Sequence, residues 1–64
     1  MRYRIVVRGR LSDHLASAFE GLDLEWLQGD SALTGPFVDQ AHLHGVLDRL
    51  RDLGIPLVSV NPVE

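Results

Sequence analysis

Apolar and polar residues alternate over the first eleven positions. Tyr3, Ile5, Val7, Gly9 and Leu11 fall on one side of the chain, and Arg2, Arg4, Val6, Arg8 and Arg10 on the other. A period of two marks a strand with one buried face. Beyond Leu11 the period changes. Leu15, Ala18, Phe19 and Leu22 recur at helical spacing. Ser12 before them is a good N-cap, and Asp13 puts a negative charge where the helix dipole favours it. Gly21 is a natural stop, so the spacing predicts a first helix from about 12 to 20. In LDLEWL the period returns to two, with Leu22, Leu24 and Trp26 set against Asp23, Glu25 and Leu27. The polar QGDS and the run ALTGPFV follow, which reads as a hairpin around a glycine-containing loop.

Asp39 then caps a second helix whose apolar positions are Leu43, Val46, Leu47, Leu50 and Leu53, a stripe at i, i+3, i+4 and i+7. Gly54, Ile55 and Pro56 end it in the usual order of a left-handed cap, a fold-back and a stop. The segment PLVSVNPV supplies a last short strand. The order is β-α-β-β-α-β. Split βαβ units with right-handed crossovers predict an antiparallel sheet of strand order 4-1-3-2, both helices on one face. The expected fold class is therefore α+β, ferredoxin-like, with residues 1–64 in a single domain. On that topology the first strand is central, its apolar face lies under the helices, and its arginines look out on the opposite side.

The stretch HGVLDRLRDLGIPLVSV, with LTG and DQA just before it, resembles a group of small, functionally unassigned proteins from GC-rich bacteria. They share the element order and a leucine-rich second helix that leads into a strand ending in SV. The shared positions are packing and capping residues, so the resemblance implies the fold and no activity. The chain departs from that pattern at Trp26, at Pro36 with Phe37, and at His42 and His44, where polar or charged residues are more usual.

Size and composition sharpen the picture. A chain of 64 residues buries only about 60% of its unfolded surface. Small scaffolds offset that with disulfides, metals or self-association. Cysteine is absent, which removes disulfides and thiolate metal sites and fits a reducing cytoplasm. Self-association remains, and a homodimer is expected. No apolar run approaches the roughly 20 residues of a membrane span, and the N-terminus lacks the apolar core of a signal peptide. The net charge of −3 gives no bulk attraction to nucleic acid. RNA recognition on an open sheet also wants outward aromatics, and the outward positions of the central strands carry arginine, valine, alanine, threonine and proline.

Several groups are candidates for chemistry. Arg2, Arg4 and Arg8 offer guanidinium forks that suit carboxylate or phosphate, with Thr34 on the neighbouring strand. The same face equally suits pairing with Asp23 and Glu25, or a dimer contact with Val6 and Leu27 as its apolar part. Direct pairing is not expected, because the third strand lies between. Gly35-Pro36 in a central strand suggests a bulge or an early end to regular pairing, and Trp26 with Phe37 either lines a small mouth beside it or belongs to the core, with Trp26 near an edge equally suited to a dimer contact. Asp39 and His42 stand at i, i+3, the spacing of an acid/base pair in which the carboxylate orients the imidazole. His42 also precedes Arg49 by seven residues. The plainer reading is an N-cap aspartate beside a boundary histidine. His44 is expected to pair with Asp48 at i, i+4. No metal ligand set and no cofactor motif is present.

Two functions follow as expectations. One is a non-catalytic homodimeric module, regulatory or scaffolding, that binds a small anionic ligand on its arginine face. The other is a small isomerase or cyclase with a pocket lined by Trp26 and Phe37, His42 as acid/base held by Asp39, and an arginine opposite the developing charge.

Overall fold

The computed structural model describes residues 1–19 and 21–63. Its elements are β1 (Arg2–Arg8), α1 (Asp13–Ala16), β2 (Asp23–Trp26), β3 (Asp30–Pro36), α2 (Gln40–Asp52) and β4 (Leu57–Pro62). The strands make one antiparallel sheet in the order β2-β3-β1-β4, which is the expected 4-1-3-2 read from the other edge. Ile5, Val7 and Leu33 meet Phe19, Phe37, Leu43 and Leu50 in the core, so the apolar side of β1 does lie under the helical layer.

The first helix is a single turn that ends at Ala16, short of the expected helix, whose last residue, Glu20, lies outside the described residues. Its backbone says why. Ala18 N–H and Phe19 N–H donate to the carbonyls three residues back, tightening the chain, and the Ser17 hydroxyl takes the His14 carbonyl. The Ser12 hydroxyl still caps the start, accepting from Leu15 N–H at 3.1 Å. The second helix is as expected. Asp39 caps it through His42 N–H at 2.9 Å. At its end Gly54 takes φ 74° while Gly54 N–H and Ile55 N–H donate to the carbonyls of Arg51 and Leu50, a Schellman close.

The expected bulge at Gly35-Pro36 is absent: β3 keeps register with β1 from Arg8↔Asp30 to Arg2↔Pro36. Phe37 N–H donates to Met1, so the nitrogen of Pro36 points to the β2 side, where pairing has already ended at Asp23↔Thr34. Proline loses no ladder bond there. Gly35 is required for a different reason. A Cβ on it would stand 2.7 Å from the Gly21 carbonyl and 2.9 Å from Leu22 Cδ2, so the segment after α1 presses directly on the β3 backbone. The irregularity falls instead on β4, where Val58 is the extra residue between Val6↔Ser59 and Val7↔Leu57.

Ser31 supports the opposite end of β3. It is fully buried, its hydroxyl accepts from Leu11 N–H at 2.9 Å and donates to the Gly9 carbonyl at 2.7 Å. It thereby ties the turn after β1 to the sheet. Gly9 at φ 90° lets the chain leave β1 there, and Arg10 swings off the arginine face as a result.

Candidate functional site

The arginine face is charge-balanced. Arg4 reaches across β3 to Glu25, Nη2 to Oε1 3.6 Å, a contact not expected over an intervening strand. The long side chain manages it because β3 presents only Ala32 and Thr34 on that face between them. Arg8 stands directly opposite Asp30, and Asp23 lies opposite Thr34. Arg2 is exposed at the end of the strand beside Pro36. The fifth position of the ladder is not on this face at all: Arg10 lies over the Trp26 ring, 4.1 Å from its centroid. Each central arginine thus has an acid close by, which cancels much of the field an incoming anion would feel.

Trp26 and Phe37 do not share a pocket. Trp26 pairs with Ser31 at one end of β3, whereas Phe37 follows Pro36 at the other. The indole is 44% exposed, and its Nε1–H donates to the Leu11 carbonyl at 2.9 Å. Phe37 is buried between Tyr3 and His42, with ring centroids 6.1 and 5.0 Å away. Nor do Asp39 and His42 form an acid/base pair. The carboxylate is used by the helix cap, and the imidazole Nδ1 accepts from Val38 N–H at 3.2 Å. That bond puts the ring proton of the neutral imidazole on Nε2. His44 has no bond to Asp48 either; Asp48 pairs with Arg51 at 3.3 Å. Among the described residues no group of three or more His, Cys, Asp or Glu is gathered as a metal site. No helix among them is long and apolar enough to cross a membrane.

What the fold does build lies along α2. Leu43 and Leu50 drive one stripe of this helix into the core and leave a flank free on each side. Towards β4 the flank forms a groove of about 520 Å³, with Leu47, Leu50, Ile55 and Leu57 inside and Asp48 and Arg51 on the rim. The groove is open because the single turn of α1 covers only the other half of the sheet. Leu57 in the groove is 51% exposed, and Leu53, the residue before its lining Gly54, is 47% exposed. Towards α1 the flank borders a cleft of about 350 Å³ with His42, Gly45, Val46 and Arg49 on α2 facing Phe19 and Leu22. Those positions recur at i, i+3, i+4 and i+7, so the helix itself aligns them.

Sequence reasoning found His42 and missed Gly45 and Arg49. The seven-residue interval between His42 and Arg49 is the readable signal, and a glycine between them is its qualifier. Ser31, hidden between two strand residues, gives no signal of its own.

Fold and surfaces together define a small α+β domain of ferredoxin-like topology with grooves on either side of its second helix. The chain belongs to the family described as domain of unknown function DUF8691, whose model matches residues 2–61. No curated protein and no solved structure matches it.

Proposed function

We propose that the chain is a non-catalytic binding module that acts as a homodimer in the cytoplasm, joined through the groove between α2 and β4. The observation that carries this reading is an apolar groove lined by Leu47, Ile55 and exposed Leu57, with exposed Leu53 and Val58 adjoining its lining residues along the chain. Exposed apolar patches rimmed by charge favour association, and a domain this small has most to gain from it.

The rim argues for a second copy as the partner. Asp48 and Arg51 carry opposite charges three residues apart. When α2 helices of two copies meet antiparallel about a two-fold axis, Asp48 of each faces Arg51 of the other, and the contact is isologous. A standard interface takes about 800 Å² per partner, roughly a fifth of the 4262 Å² surface, a small share for so open a side. The edge of β4 does not favour open-ended strand addition. Its bulge at Val58 and the missing N–H of Pro62 interrupt the edge, which suits a closed dimer better than a fibre.

The arginine face supports the anion-binding part of the expectation poorly, since its central guanidinium is already engaged by Glu25. The isomerase or cyclase alternative has no convergent site to rest on, because Trp26 lies at the other end of β3 from Phe37 and His42. Size-exclusion chromatography with light scattering tests the dimer. We expect wild type to run as a dimer, Leu57→Glu as a folded monomer, and Arg4→Glu as a dimer still. A monomeric wild type at ~100 μM, well above the micromolar range of weak specific contacts, contradicts the reading. A dimer lost in Arg4→Glu and kept in Leu57→Glu moves the interface to the arginine face.

A further inference from the structure

We propose that the cleft between α2 and the residues Ala18, Phe19 and Leu22 binds a small organic anion with an apolar body, an arylalkyl or medium-chain carboxylate, its head held by Arg49. The inference goes beyond the dimer reading and does not depend on it, since the cleft and the groove lie on opposite flanks of α2.

The charge of the cleft is the first argument. Its described lining includes Arg49 and His42 and no acid, in a chain whose net charge is −3. Arg4 and Arg51 have carboxylates within 4.0 Å; Arg49 has none among the described residues. A guanidinium fork facing an open cleft matches a carboxylate in shape and charge.

His42 is the second. The bond from Val38 N–H to Nδ1 and the contact with Phe37 hold the ring in place, so Nε2–H is its donor. Seven residues of helix put this donor about 10 Å from Arg49 along the axis. That distance suits a ligand with a carboxylate at one end and an apolar body or weak acceptor at the other, lying along Phe19, Leu22 and Val46.

Gly45 is the third and independent argument. Glycine in the middle of a helix loosens it relative to alanine. Among the described residues nothing calls for it: a Cβ on Gly45 meets none of their atoms within 4 Å, whereas one on Gly35 collides with the Gly21 carbonyl. The missing side chain opens the floor of the cleft midway between His42 and Arg49 and bares helix backbone to an incoming body. Close approach of a ligand to the backbone is one of the uses of glycine. The volume of about 350 Å³ falls in the range of small-molecule sites.

The test uses the isotope-labelled full chain, with amide shifts followed during titration with phenylacetate, hexanoate and, as a charge-reversed control, 2-phenylethylammonium. We expect saturable shifts at Gly45, Val46 and Arg49 with at least one of the carboxylates and none with the ammonium. Arg49→Gln should weaken binding about tenfold or more without loss of folding. Gly45→Ala should raise Tm by about 2–8 °C and yet weaken binding several-fold, an opposition that a purely structural role for Gly45 does not produce. Leu57→Glu should bind as wild type does, so failure of the dimer and failure of the cleft are read separately. No saturation up to ~10 mM of either carboxylate overturns the proposal, as do shifts confined to the arginine face or unchanged affinity in both Arg49→Gln and Gly45→Ala.

Discussion

The two flanks of α2 are built from the same helix and differ in what their charges ask for. On the β4 side Asp48 and Arg51 form a mixed pair over an apolar floor of Leu47, Ile55 and Leu57. A mixed pair is already satisfied and can only be traded for an equivalent one, which a second copy would supply. On the α1 side Arg49 carries the charge, His42 offers a ring N–H donor, and a glycine gap lies between them. That flank is complemented by something negative and slender. The arginine face shows the limiting case, where the guanidinium of Arg4 already meets Glu25 in its own sheet. A cluster of arginines is therefore a poor guide to a site until the acids around it are counted.

The largest effect should come from removing the ridge that separates the flanks. Leu50 is fully buried between them. We expect Leu50→Ala to cost about 2–5 kcal/mol in urea unfolding and to abolish both dimer and ligand binding, because α2 loses its seat on the sheet. A smaller loss that spared both surfaces would show that the flanks hold their shape without the ridge.

Gly35→Ala should sharpen the comparison. Its Cβ runs into the Gly21 carbonyl and Leu22, and Leu22 lines the α1-side cleft and not the groove. The expected cost is about 1–3 kcal/mol with ligand binding lost and the dimer retained. Next in size, Asp48→Arg sets like charges across the two-fold axis and should weaken the dimer by roughly 1 kcal/mol, about fivefold in Kd by light scattering at low salt. Adding Arg51→Asp should restore it, and ligand titrations should not change in either variant. The smallest effect is expected on the arginine face, where Arg4→Ala breaks a half-exposed ion pair worth about 0.2–1 kcal/mol. Thermal unfolding should register little, and neither flank should respond.

The fold was legible wherever a period ran long enough. The alternation of β1 and the stripe from Leu43 to Leu50 gave element types, strand order and the buried faces. Short-range competition defeated the reading of α1, since Ser17 turns the chain by bonding His14 before the apolar spacing ends. Pro36 misled because its effect depends on which side of the strand its nitrogen faces, and that is fixed by pairing with Met1 rather than by neighbouring residues. The candidate site was legible only in part. His42 drew notice, but with Asp39 as its supposed partner, whereas the cap takes the carboxylate and the backbone takes the ring nitrogen. Which glycines are forced by contact and which leave room depends on neighbours distant in sequence. Gly35 and Gly45 look alike in the chain and have opposite meanings in the fold.

The separation of the flanks is tested most directly by two footprints recorded on one amide spectrum of the wild-type chain. One is a dilution series that reports self-association, and the other is a phenylacetate or hexanoate titration at fixed protein concentration. The account predicts disjoint sets, with Leu47, Arg51 and Leu57 moving on dilution and Gly45, Val46 and Arg49 moving with the carboxylate. A single set that answers to both, or shifts confined to β1 in either series, contradicts it.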